Sequence, residues 1–166
     1  EIIDYENKEI AKQFKLFYKQ GKTLFGYGVT FVRNVFFGRF FYYKHAIKNL
    51  DSYRKKTKIK YITIDDLKNV DYDLLIAGSD QIWNPLFQNG KDKAFYLDFV
   101  ADGTKKVSYA ASMVVTKLDE TQKTFVKTML QDFDKISVRE KSATDVLKDM
   151  GISAVAVMDP VFLLDS

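Results

Sequence analysis

The 166-residue chain contains no cysteine and a single histidine, His45. The first absence excludes a disulfide framework, a cysteine nucleophile and every zinc site built on thiolates, and it agrees with a reducing cytoplasm. The second excludes a histidine-rich metal site. Long apolar runs are missing too: uncharged stretches such as 23–32 and 107–116 reach only 10 residues, about half of what a spanning helix requires. No secretory signal is expected, because residues 1–20 scatter Glu, Asp and Lys through every apolar stretch. There is no Walker loop, no GxGxxG fingerprint and no Ser-His-Asp arrangement. Neither an RNP-type nor a helix-turn-helix signature points to nucleic acid, so none is expected as a partner.

What is present is ample core material, with 46% apolar and 15% aromatic residues, enough for one compact domain. The net charge of +4 conceals a split: residues 1–70 hold 15 Lys and Arg against 7 Asp and Glu, and residues 71–166 hold 11 against 15. The basic part is expected to face something anionic.

Residues 61–166 read as α/β. Short apolar or β-branched segments at 74–77, 106–111, 135–138 and 154–158 alternate with helical patterns. Leu118, Thr121, Phe125, Met129 and Phe133 recur at helical spacing, with Asp119 and Glu120 where carboxylates complement the helix dipole. A second helix over 140–150 is stopped by Gly151. Apolar strands joined by crossover helices predict a Rossmann-like parallel sheet covered on both faces.

Residues 1–60 differ. A charged amphipathic helix is expected over 6–20, glycines at 21, 26 and 28 mark a break, and 29–56 reads as one long helix with Val32, Phe36, Phe40, Tyr43, Ile47 and Leu50 on one face. Residues 14–43 carry 12 of the 25 aromatics. One reading is a membrane-surface helix flanked by Arg33, Arg39, Lys44 and Lys48; the other is a cap whose aromatics pack on the sheet. His45 lies in this helix and reads as structural or solvent-facing.

In an open parallel sheet, ligands collect outside the carboxyl ends of the strands. Three such ends are polar here: Gly78, Ser79, Asp80 and Gln81; the segment 108–112 with Tyr109 and Ser112; and Ser137, Arg139 and Glu140. Gly78 permits close backbone approach, while Ser79 and Asp80 either cap a following helix or present polar groups to a ligand. Trp83, beside Asn84, either stacks on a sugar face or pins the loop. Arg139 stands at the expected N-terminus of the helix after its strand, where free N–H groups favour an anion and a guanidinium adds bidentate recognition of carboxylate or phosphate. The competing reading is an ion pair with Glu140 or Asp159. Asp159 itself is either part of a turn or a carboxylate at the crevice rim.

Four segments, "YDLLIAGSDQIWN", "KKVSYAAS", "FDKISVRE" and "VMDPVFLL", together resemble the polysaccharide pyruvyl transferase family over residues 72–164, and "EIIDY" at 1–5 resembles its second strand. The quoted motifs leave 6–60 without support by resemblance. The resemblance implies one half of a two-domain architecture of the glycosyltransferase B type, with the first strand and the second domain outside this chain. It implies transfer of the enolpyruvyl group of phosphoenolpyruvate to a sugar of a surface polysaccharide, giving a pyruvate ketal and phosphate. The arginine of "SVRE", Arg139, matches a position implicated in binding that donor. A piece lacking the second domain is expected to be inactive alone.

On this reading no cofactor or metal is expected beyond phosphoenolpyruvate as donor substrate. The expected partners are that donor, a saccharide or lipid-linked oligosaccharide acceptor, an anionic membrane surface at the basic N-terminal helix, and a second copy of the chain at the exposed sheet edge. The expected location is the cytoplasm, at the inner face of the membrane. The alternatives are a glycosyltransferase-like or sugar-binding domain with another donor, and a non-catalytic membrane-associated partner in polysaccharide assembly.

Overall fold

The computed structural model describes residues 2–6, 8–13 and 56–163. The chain divides into two compact units, Glu1–Thr63 and Ile64–Ser166.

In the first unit, strand β1 (Ile2–Tyr5) pairs in parallel with β2 (Lys56–Tyr61), Asp4 standing opposite Lys60, and a short helix α1 covers Lys8–Gln13. Glu6 anchors the end of the pair: its N–H donates to the Tyr61 carbonyl at 3.0 Å and its carboxylate meets Lys60. That ion pair is exposed and contributes little. The helix expected over 29–56 lies outside the described residues except for Lys56, which opens β2 instead. Lys-Thr-Lys-Ile-Lys-Tyr alternates with the period of a strand, and its Thr57 and Ile59 are β-branched residues that favour one. His45 and the aromatic residues from 14 to 43 also lie outside the described residues.

The second unit is α/β, built from small parallel sheets and helices. Strand β3 (Leu74–Ala77) pairs in parallel with β4 (Lys105–Ser108), and β5 (Ser137–Val138) with β6 (Val155–Ala156). Parallel bridges Val107 to Lys135 and Ala111 to Val138 join the two pairs, giving the order β3-β4-β5-β6. Helix α2 (Glu120–Leu130) connects β4 to β5, and α3 (Lys141–Asp149) connects β5 to β6.

Both helix ends were signalled by sequence. Asp119 Oδ1 accepts the Gln122 N–H at 2.8 Å while Gln122 Oε1 accepts the Asp119 N–H at 3.0 Å, a capping box that satisfies donors the helix cannot. Helix α3 ends with Gly151 at φ +78°. The Ile152 N–H reaches the Leu147 carbonyl and the Gly151 N–H the Lys148 carbonyl, both at 2.9 Å, the Schellman pattern.

One expectation is corrected. Between β3 and β4 there is no α-helix: residues 78–104 form turns and two short 3-10 segments, Asn89–Lys91 and Lys93–Tyr96. Within the second unit Leu75 and Ala77 are buried, while Leu74 and Ile76 are exposed, as is Val155. In the α2 stripe, Leu118 and Met129 are buried, Phe125 and Phe133 are half-buried and Thr121 is exposed. No helix among the described residues is long and apolar enough to cross a membrane.

Candidate functional site

The carboxyl ends of the strands are drawn together by groups far apart in sequence. Arg139, two residues after the start of β5, aims its Nη1 at the Ser79 carbonyl after β3, at 3.2 Å, and at Asp159 Oδ2 after β6, at 3.1 Å. Its side chain keeps 33% of its accessible surface. With Nη1 held on the protein, the Nε and Nη2 donors form the remaining edge of the fork, and two parallel N–H groups on one edge suit a carboxylate or phosphate. The Asp159 carboxyl lies below its usual range, first because it accepts the Val161 backbone N–H and second because Arg139 is beside it.

The ion pair that rivalled the anion-binding reading of Arg139 is therefore present, with Asp159 rather than Glu140. It uses one nitrogen of the guanidinium and leaves the other edge.

Backbone bonds close the floor of this rim. The Ser112 N–H donates to the Asp80 carbonyl at 3.1 Å, the Trp83 N–H to the Ser112 carbonyl at 3.2 Å, the Tyr109 N–H to the Ala77 carbonyl at 2.9 Å, and the Arg139 N–H to the Ala111 carbonyl at 3.0 Å. Gly78 and Asp80 are exposed and Ser79, Gln81, Tyr109, Arg139, Glu140 and Asp159 are half-buried. All four motif segments thus meet at one end of the sheet. The profile of the family described as polysaccharide pyruvyl transferase matches residues 17–166. The chain belongs to the polysaccharide pyruvyl transferase family. No curated protein and no solved structure matches it. The family match begins at residue 17, so it takes in a segment that the motifs quoted from 72 onward left without support.

Within the family's first motif, the residues proposed from sequence divide by burial. Trp83 is fully buried. Its Nε1–H donates to the Phe95 carbonyl at 3.0 Å, its ring stacks on Tyr96 at 5.6 Å and 10°, and Phe133 meets it edge-on at 5.8 Å. It pins the loop and has no face left for a sugar. Removing roughly 200 Å² of indole from water is worth about 5 kcal/mol, which explains how 78–104 stays ordered without a helix. Asn84 is buried as well: its Nδ2 donates to Gln81 Oε1 and its Oδ1 accepts the Leu86 N–H, both at 3.0 Å. Gln81 also accepts Asn89 Nδ2 on its carbonyl. The segment "QIWN" is therefore internally bonded. Asp80 Oδ1 accepts the Gln81 N–H at 2.7 Å, and no helix follows for it or Ser79 to cap.

In the family's second and third motifs, the serines are structural. Ser108 Oγ donates to the Ser137 carbonyl at 2.9 Å and accepts the Ser137 N–H at 3.0 Å, while Ser137 Oγ donates to the Ser108 carbonyl at 2.8 Å and accepts the Ala110 N–H at 3.2 Å. The regular ladder is broken here, since three residues of one strand (108–110) face two of the other (136–137) between the two bridges and Ala110 takes φ +51°. The hydroxyls bond backbone groups across the bulge, where the ladder is irregular. Sequence reasoning treated Ser137 as a crevice residue and did not see this exchange; two serines at facing strand ends were its only signal. It also missed that Glu140, buried Ser112 and the N–H groups of Met113 and Val114 form one bonded cluster.

An open cleft of about 630 Å³ lies elsewhere, lined by Lys127, Gln131, Phe133, Lys135 and Ile152 among others and including neither Arg139 nor Asp159. It adjoins the residues that precede β5 and β6, whereas open parallel sheets bind ligands past the carboxyl ends. Among the described residues no cluster of His, Asp and Glu has the grouping to hold a metal.

Proposed function

We propose that the chain binds phosphoenolpyruvate through Arg139, as part of a transferase that moves the enolpyruvyl group to a surface-polysaccharide sugar as a pyruvate ketal. The observation that carries this reading is the guanidinium itself. One nitrogen is tied to Ser79 and Asp159, and the opposite edge is left to a ligand carboxylate or phosphate at the carboxyl ends of a parallel sheet. Family membership supplies the reaction class. A Rossmann-like half of a glycosyltransferase B type architecture fits the parallel order of β3 to β6.

Ketal formation requires a proton on the vinyl carbon, an oxocarbenium-like centre as phosphate leaves, and loss of protons from the sugar hydroxyls that attack. Arg139 has no proton to give at neutral pH. Its role is to hold and orient the donor, and the acid and base belong to other groups. The acceptor is a saccharide or a lipid-linked oligosaccharide, and the basic residues of 1–70 suit an anionic membrane surface beside which such an acceptor is presented.

Isothermal titration of phosphoenolpyruvate into the protein and into Arg139→Ala at low salt, with pyruvate and phosphate as controls, tests the reading. The expected result is saturable binding that the variant loses. Equal affinity in both removes Arg139 from the donor site. Binding of a nucleotide sugar with none of phosphoenolpyruvate would move the chain to a glycosyltransferase-like role.

A further inference from the structure

Glu140 precedes the first residue of α3, yet its side chain makes no capping bond within that helix. Its Oε1 turns instead to the segment after β4 and accepts Ser112 Oγ–H at 3.2 Å, the Met113 N–H at 2.8 Å and the Val114 N–H at 2.9 Å. Val114 sits at φ +64°, in the left-handed region that a β-branched residue occupies only when its surroundings over-determine it. Val114 is 50% exposed, and the Glu140 carboxylate binds its N–H. The neighbouring Arg139 N–H binds the Ala111 carbonyl at 3.0 Å, so the dipeptide 139–140 is strapped along the whole of 111–114.

That turn follows β4, the strand between those that lead to Ser79 and to Arg139. It is tied to the first by the Ser112 N–H on the Asp80 carbonyl and to the second by Glu140. It therefore stands between the two strand ends that Arg139 joins through its bond to the Ser79 carbonyl. We propose that Glu140 is a positioning residue for the phosphoenolpyruvate site: its carboxylate fixes the Ser112–Val114 turn against the arginine and so sets the shape of the ligand's seat. The proposal rests on the donor reading above. It also accounts for the missing helix cap, since an oxygen closing on α3's own amides would leave two N–H groups of the turn without an acceptor.

The test titrates phosphoenolpyruvate into ¹⁵N-labelled wild type, Glu140→Gln, Glu140→Ala and Arg139→Ala, following amide shifts and hydrogen exchange, with Trp83 fluorescence to confirm folding. In Glu140→Ala the Met113 and Val114 amides should shift and exchange faster, and affinity should fall about tenfold for the loss of hydrogen bonds to a charged group. Glu140→Gln keeps an accepting oxygen in place and should recover most of both. Amides released with affinity unchanged would overturn the positioning role while the Arg139 reading stands, and a Gln variant as weak as the Ala variant would overturn it in favour of a requirement for charge. Wild type that fails to bind, like Arg139→Ala, would overturn the donor reading and the positioning role with it. Should Glu140→Ala not fold, Glu140→Asp, whose shorter side chain draws the carboxylate away from the turn, takes its place: turn amides shifted with weakened binding support the proposal, and shifted amides with full affinity refute it.

Discussion

Gly90 offers the sharpest single test of the packing that carries the site's loop. A Cβ added there would lie 2.0 Å from the Asn84 carbonyl oxygen and 2.4 Å from its carbon, contacts with backbone that no rotamer can relieve. The two segments must part by more than about 1 Å to reach an ordinary van der Waals separation. That movement also pulls the Gly90 carbonyl from the buried Tyr96 hydroxyl, which donates to it at 3.0 Å. Overpacking of this kind costs about 1–3 kcal/mol, the lost bond adds about 1 kcal/mol, and the stiffer unfolded chain of an alanine variant returns roughly 0.5 kcal/mol. Gly90→Ala should therefore lose about 1.5–3.5 kcal/mol, or about 6 °C or more of melting temperature for a unit of this size. Trp83 is the only tryptophan, is fully buried and stacks on Tyr96, so its fluorescence in a urea titration reports this cluster. The control is Gly78→Ala, where an added Cβ meets nothing within 4 Å, and whose midpoint should stay within about 0.5 kcal/mol of wild type. A Gly90→Ala midpoint equal to wild type, or a Gly78→Ala loss as large, would refute the account.

Two pH dependences follow from buried or paired groups of the same unit. Burial pushes the Tyr96 phenol well above its ordinary value of 10.0; the unfolded chain then loses the proton first, and folding stability falls as pH rises above 10.0, by about 1.4 kcal/mol per pH unit. Urea midpoints near pH 8 and pH 11 should diverge more in wild type than in Tyr96→Phe, and equal slopes would refute it. The Asp159 carboxyl is lowered from 3.8, so its contact with Arg139 is complete above that value and is lost as pH falls through the lower native one. Arg139 side-chain resonances should therefore hold steady from about pH 8 to 5 and move only below 3.8; movement near neutrality would show that another group controls the arginine.

The sequence made the second unit legible where local chemistry and periodicity agree. Asp119 and Glu120 at the start of α2 and Gly151 after Met150 mark helix ends, and strand β3 falls on its expected residues, 74–77. What stayed open in the sequence was anything decided by partners distant in it. Trp83 beside Asn84 looks like ligand equipment until Tyr96 and Phe133 cover it, and Ser137 looks like a crevice hydroxyl until Ser108 consumes it across 29 residues. Strand β2 escaped notice because lysine fills alternate positions of a segment that a helical, basic region was expected to include. Asp159 was readable only as two alternatives, since nothing local says whether a carboxylate after a strand turns back on its own loop or reaches an arginine. Here it does both, accepting the Val161 N–H and Arg139 Nη1.

The two carboxylates beside Arg139 have unlike tasks, and the difference bears on what the rim can do. Asp159 holds the arginine by its end nitrogen and shares its charge; Glu140 spends one oxygen on the turn that faces it. Ionised, Asp159 serves only as an acceptor, and protonating it would weaken its contact with Arg139. On the reading proposed above, phosphoenolpyruvate brings a carboxylate and a phosphate, more charge than one shared guanidinium offsets, so these strand ends would anchor the donor by one guanidinium edge, with the proton and the balancing cations supplied by other groups.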